Sequence, residues 1–404
     1  MNPKRSIITL YLFSFLKSLQ FFGAIAVPFY LHRVGLNFTQ MFSLEAVFSV
    51  SMLLFEIPTG VVADRFGRKV SLFLGSLLFG GAFLIFGVSL NFVTLIVAEV
   101  ICAIGMTLQS GADRALVYEL SAKIDDGKDA ARINARYDAF GTAGLLIAFP
   151  AGSLFAQAGI LPYKTALGAV FFASGIAIIL AGFIVVAVRE PNRQKFHGSA
   201  LKAGFDGFRF IFTKPALTRF SLNYAIVSSL TFFMFWFYQA LLVENDFPIG
   251  LIGFVGAGTN LAAMGLLLAT GFVQKTVGTK RALMLSSITP GILYLGVFFF
   301  PGLPMALVAI FGVIMLKLFR APMLSTLMND HIEDANRATV LSGVSMLERL
   351  MTTVLYPVAG FLTDISLGWT FLAMGTITIL ASVLLRVDET HLEDSGQVRM
   401  NRSM

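Results

Sequence analysis

The chain has 404 residues, of which 56% are apolar and 13% charged, where an ordinary soluble domain carries roughly 25% charged residues. With 41 phenylalanines and a mean hydropathy of +0.80 it is a membrane protein, which excludes a soluble enzyme, a nucleic-acid binder and a disordered scaffold. The net charge of +7 comes from basic residues concentrated in the loops.

A helix needs about 20 apolar residues to cross a bilayer. Taken in chain order, twelve stretches qualify: about 6–30, 41–63, 71–90, 93–117, 137–158, 164–188, 218–242, 250–274, 282–300, 304–327, 338–362 and 367–386. Lys4 and Arg5 lead straight into the first stretch, which runs on past any signal-peptide core. The expected fold class is an all-α membrane protein of twelve transmembrane helices in two pseudo-symmetric six-helix halves. The expected divisions are an N-terminal half at 1–190, a cytoplasmic linker at 191–217, a C-terminal half at 218–386 and a cytoplasmic tail at 387–404. The linker's second part, Leu201 to Phe212, predicts an amphipathic helix at the inner surface.

Lys and Arg in the loops set orientation. With the N-terminus inside, 23 of them fall on the inner side, against Arg33 and Lys164 outside. Both termini are therefore expected in the cytoplasm. Short loops predict a multi-pass protein of a bacterial inner membrane that works as a monomer.

Cys102 is the one cysteine, so no intrachain disulfide and no CxxC pair exists. His32, His197, His331 and His391 are scattered and form no HExxH, and no GxxxxGK[ST] phosphate loop is present. No metal, no cofactor and no enzymatic step is expected.

The loop after the second stretch reads Gly60-Val-Val-Ala-Asp64-Arg65-Phe-Gly67-Arg68-Lys69. So tight a turn between antiparallel helices suits a positive φ at Gly67. Gly60 is read as allowing close helix approach, and Asp64 as an acceptor for a neighbouring helix N-terminus. A degenerate copy, Gly271-Phe-Val-Gln-Lys275-Thr-Val-Gly278-Thr-Lys280-Arg281, recurs 211 residues later. Two parallel six-helix halves are one known transporter architecture.

The motif, its position between helices 2 and 3 and its degenerate repeat resemble the signature of the major facilitator superfamily, and the stretches Ser110 to Glu119 and Asn336 to Gly343 look like those of its bacterial drug/proton antiporter-type members. The resemblance covers the whole chain. It implies a loop that latches the two halves on the cytoplasmic side, with Asp64 facing the start of helix 11 near Thr339 and Arg68 facing Glu119. It also implies a central cavity lined by helices 1, 4, 7 and 10. Drug exporters carry a Gly/Pro-rich signature in helix 5. Here that helix reads Gly141-Thr-Ala-Gly144 and then Pro150-Ala-Gly152, without the Gly-Pro junction, and Glu99 stands in the region of helix 4 where those exporters have an arginine.

Ten ionisable residues are read as intramembrane: Lys17, Glu56, Glu99, Asp113, Arg114, Asp138, Lys317, Arg320, Glu348 and Arg349. Each costs about 2.5–3.5 kcal/mol at a helix centre, so together they must pair or line a wet space. Ser14, Lys17 and Gln20 recur every three residues on helix 1. Glu99 and Asp113 are 14 apart, about four helical turns, which predicts one shared face. Tyr224, Ser228, Thr231 and Tyr238, with Trp236 and Gln239, form a polar-aromatic stripe on helix 7. Lys317 and Arg320 lie one turn apart on helix 10.

Glu99, Asp113, Glu348 and Glu56 are the proton-coupling candidates. Lys17, Gln20, Arg114, Tyr224, Trp236, Tyr238, Gln239, Lys317 and Arg320 are the candidates for the substrate cavity. Structural alternatives stay open. Asp113 and Arg114 could pair with helix 10 or 11, Glu348 with Arg349 could join two helices, and the helix 7 aromatics could be packing. The function expected is alternating-access, proton-coupled efflux of a small organic molecule. Proton-coupled import or facilitated passage of an organic anion is the alternative. A membrane receptor on a transporter scaffold finds no support, since no signalling domain is present.

Overall fold

The computed structural model describes residues 3–124, 129–190, 200–213, 215–331 and 334–386, and among them there is no strand. The helices are α1 (Pro3–Lys17), α2 (Ala26–Pro28), which runs into a π-helical stretch Phe29–Val34, α3 (Phe38–Phe66), α4 (Arg68–Val88), α5 (Phe92–Gln109) and α6 (Ala112–Ser121). They continue with α7 (Ala130–Gln157), α8 (Tyr163–Val185), α9 (Ala200–Ile211), α10 (Pro215–Phe232), α11 (Met234–Glu244) and α12 (Ile249–Leu268). The last are α13 (Thr270–Val277), α14 (Thr279–Phe299), α15 (Leu303–His331), α16 (Asp334–Ile365) and α17 (Leu367–Leu384).

Among the described residues ten helical segments are long and apolar enough to cross a membrane. The two expected stretches outside that set are the first and the eleventh, the latter within α16. The first is not the continuous helix expected over 6–30. Helix α1 ends at Lys17, and Ser18 to Ile25 follow as tight turns, with Gly23 N–H on Gln20 O at 3.0 Å and Ile25 N–H on Phe22 O at 2.8 Å.

The break has a packing cause. Helix α7 offers a face of small residues, Gly141, Gly144, Ala148 and Gly152, to this segment. A Cβ at Gly144 would meet Phe15 O at 2.5 Å, and one at Gly152 would overlap Phe21 O. Non-helical backbone survives at membrane depth when other protein covers it, and glycine lets two backbones approach.

Two compact units partition the chain. The first gathers Met1–His197 and Asp246–Ala257, so the start of α12 belongs with it; the second gathers Gly198–Asn245 and Gly258–Met404. The units repeat the same devices. Gly67 joins α3 to α4 at φ 104°, and Gly278 joins α13 to α14 at φ 83°, a region that suits glycine. In the first unit α4 and α8 cross at Gly80 and Gly175, where a Cβ on either would meet the other's carbonyl oxygen at 2.6 Å. In the second unit α14 and α17 cross the same way at Gly291 and Gly375. Gly291 follows Gly80 by the 211 residues that separate the loop motifs.

Helix α9 falls where a surface amphipathic helix was expected. It packs one face on α16, with Gly207 backbone against Gly343. Ile211 is fully buried with Phe220, Val340 and Val344. Helix α9 is thus packed into the second unit.

Candidate functional site

The charged residues gather into separate clusters. The first surrounds the turn between α3 and α4. Arg68 pairs with Glu119 of α6 at 2.5 Å. The Glu190 carboxylate accepts the N–H groups of Arg68 (2.8 Å) and Lys69 (3.3 Å), an anion at the positive end of α4. Glu190 was not among the expected site residues; an acid at the end of an apolar stretch facing a basic loop was the available signal. Asp64 is exposed, and no described residue bonds it; Thr339 lies among side chains outside those described. Arg65 is exposed, its guanidinium 5.6 Å from the Phe66 ring. A Cβ at Gly60 would meet nothing within 4 Å, so close helix approach does not explain that glycine here.

The second cluster lies between α1, α6 and α7. The Lys17 ammonium contacts Asp113 Oδ2 at 2.6 Å. The Tyr137 hydroxyl donates to the same oxygen at 2.9 Å, and the Arg114 amide donates to Oδ1 at 2.7 Å. Ser14 donates to Tyr137 O at 2.9 Å, which ties α1 to α7. Arg114 pairs with Asp138 at 2.5 Å, about half-exposed. The partners of Asp113 and Arg114 thus come from α1 and α7, not from helices 10 or 11. Gln20 falls in the non-helical turn after α1, so it does not extend a stripe from Ser14 and Lys17.

Glu99 is elsewhere. Helix α5 ends at Gln109, and Gly111 takes φ 76° before α6 begins. That break, at a Ser-Gly pair, removes the shared face expected for Glu99 and Asp113. Glu99 is 4% exposed and accepts from the Tyr30 hydroxyl at 3.4 Å. It interacts electrostatically with Glu45 of α3, which is 8% exposed. Among the described residues neither acid forms a salt bridge. Glu45 escapes notice in the sequence because it sits near the start of its stretch; its place inside that stretch was the signal. Glu56 is half-buried on α3.

In the second unit, Arg320 of α15 is 3% exposed and donates to Asn223 Oδ1 of α10. Its guanidinium lies 5.8 Å from the Tyr224 ring, and Lys317 lies 4.2 Å from the Phe232 ring. Tyr224 lies beside Glu348 of α16, which also feels Lys317, Arg320 and Arg349. The helix 7 stripe is split at Phe233 between α10 and α11. Tyr224 joins the charged cluster, while Trp236, Tyr238 and Gln239 are buried on α11.

The sequence profile of the Major Facilitator Superfamily matches residues 8–319 and 241–400. The chain is 22% identical over 379 residues to Multidrug resistance protein 2 of Bacillus subtilis (strain 168), covering 92% of this chain and 91% of that one. It is 24% identical over 173 residues to Quinolone resistance protein NorA of Staphylococcus aureus, 43% of this chain and 42% of that one. Among solved structures, an inward-facing, unoccupied bacterial homologue of the human lysosomal transporter Spinster aligns with TM-score 0.77 and 17% identity, covering 97% and 98% of the two chains. The nucleoside transporter NupG aligns with TM-score 0.79 and 13% identity, covering 95% and 98%. Structural likeness at such identities speaks to the fold.

Proposed function

The chain belongs to the major facilitator superfamily of transporters, and on that premise we propose that it exports a small organic molecule or drug in exchange for protons. It works by alternating access between two six-helix halves, as a monomer in a bacterial inner membrane. Twelve segments cross, and both termini lie in the cytoplasm. The drug-resistance relatives support the direction of transport, and the 23-to-2 division of basic loop residues supports the orientation.

The observation that carries proton coupling is the buried pair Glu45 and Glu99 with Tyr30 beside it. Two neighbouring carboxylates without a cation are costly to keep ionised together in a low-dielectric interior. A bound proton removes one of the charges, so the pair is suited to load and release it. Asp113 is a weaker candidate because Lys17 already neutralises it, and Glu348 because basic residues surround it. Arg68, Glu119 and Glu190 brace the latch loop, in which Asp64, Arg65, Gly67 and Lys69 take part.

Everted vesicles test this with a fluorescent quinolone, the class in the name of one relative. Accumulation should require an imposed pH gradient. Glu45→Gln and Glu99→Gln should abolish accumulation while sparing substrate exchange, which moves no net proton. Accumulation with normal pH dependence in both variants overturns the assignment. Gradient-driven uptake into right-side-out vesicles instead would favour the importer alternative.

A further inference from the structure

The cations of the two units are balanced differently. In the first unit Lys17 pairs with Asp113 and Arg114 with Asp138. In the second, among the described residues, Lys317 and Arg320 of α15 both face one acid, Glu348, and neither forms a salt bridge. Positive charge at this depth needs a partner or water.

Arg320 is the most constrained of them. One of its terminal nitrogens is held by Asn223, whose own amide donates to Ala381 O at 3.3 Å. Asn223 is thereby fixed with its oxygen toward the guanidinium. The Arg320 Nε and Nη1 atoms are buried and have no hydrogen-bond acceptor among the described residues. Arginine carries five N–H donors and cannot shed its charge. Buried donors left unmet in a native protein call for an explanation, and an absent ligand is one. Beside Arg320 the cluster is less enclosed, for Lys317, Tyr224 and Glu348 are only half-buried. The rings of Tyr224 and Phe232 lie against its two cations.

We propose that Arg320 and Lys317 seat the anionic group of the transported molecule, a carboxylate carried on an aromatic body. The carboxylate accepts from the unmet Arg320 donors and offsets the local excess of positive charge. The aromatic body packs against Tyr224 and Phe232. Glu348, beside Tyr224, disfavours a second negative charge, so a monocarboxylate fits better than a dianion. The assignment rests on the transport reading above but not on its proton coupling.

The test uses the purified full-length protein in nanodiscs, without any gradient. The probes are 1-naphthoate and its neutral isostere 1-naphthamide, with binding followed by calorimetry. Naphthoate should bind saturably and at least tenfold more tightly than the amide. Arg320→Gln should bring the ratio near one, and Arg320→Lys should keep part of it. Should Arg320→Gln fail to fold, Lys317→Met should still reduce the preference. Equal binding of acid and amide by the wild type, no naphthoate binding at millimolar concentration, or a full preference in folded Arg320→Gln each overturns the proposal. If the preference holds while vesicle transport ignores the pH gradient, proton coupling fails and the anion seat stands.

Discussion

Asp113 receives hydrogens from three sources: the Lys17 ammonium, the Tyr137 hydroxyl and the Arg114 amide. Among the described residues Glu99 receives one hydrogen, from the Tyr30 hydroxyl, and has a like charge beside it. The two acids should therefore respond oppositely to neutralisation. Asp113→Asn leaves Lys17 largely buried and unpaired, a loss of about 3–5 kcal/mol. Thermal unfolding of the purified protein should show it, and Lys17→Met in the same chain should recover most of it. Glu99→Gln should hold or raise the unfolding temperature. His32, just beyond the first apolar stretch, gives a pH test. Its imidazole is held below the usual 6.5, chiefly by burial and secondarily by Lys164. It stays neutral in the folded chain while the unfolded chain takes up a proton, so stability should fall as pH drops below about 6.5. His32→Asn should flatten that slope between pH 7 and 5 in the same unfolding assay. That charges lay in the membrane was legible from composition alone. Their pairing was not, because Lys17 and Asp113 are 96 residues apart and a sequence shows spacing only along one helix.

At the level of elements, the helices were legible wherever apolar length decided the matter, and the breaks were not. Helical periodicity carried Ser14 through Gln20 and Glu99 through Asp113 on single faces. Backbone contact with α7 and a positive φ at Gly111 divided both. The glycines of α7 were noted as a partial exporter signature; their physical role here is to receive Phe15 and Phe21. Gly152→Val should consequently push the first segment off α7 and lower the yield of folded protein severely, whereas Gly265→Val, where a Cβ meets nothing within 4 Å, should be nearly neutral. Size-exclusion profiles of the two variants decide between packing and mere tolerance of small residues. The loop motif was legible in its turn at Gly67 and in the Arg68–Glu119 contact, but Glu190 was not foreseen. Arg68→Glu should impair transport, and Arg68→Glu with Glu119→Arg should restore it in part, if the pair matters as a link between α4 and α6 and not through Arg68 alone. Failure of the double exchange to improve on the single one in the vesicle assay removes that link.

For the whole molecule, the two units share glycine crossings and loop conformations yet differ in charge among the described residues, with the buried acids Glu45 and Glu99 in the first and the cations Lys317 and Arg320 about Glu348 in the second. A repeated scaffold with unlike interiors suits a transporter in which proton and substrate are handled by different halves. That division depends on every segment crossing the bilayer, including the broken first one and α16, which length and apolarity alone do not select. Impermeant maleimide labelling of intact cells tests the crossings one by one, after Cys102→Ala removes the native thiol. Cysteines at Asn37, Asn245 and Ser366 should label from outside, and those at Lys128, Phe205 and Glu333 should not. Asn37 caps α3 through Gln40, and losing such a cap costs about 1 kcal/mol, too little to unfold the chain. If the first segment stayed on one side, a cysteine at Asn2 would share the accessibility of one at Asn37. If α16 failed to cross, Glu333 and Ser366 would label alike. Either result breaks the six-plus-six arrangement, and with it the assignment of proton and substrate to separate halves. Labelling at Ser366 and Asn37 with protection at Asn2 and Glu333 instead requires both irregular segments to span, where the covered turn after Lys17 is tolerated because α7 shields its backbone from lipid.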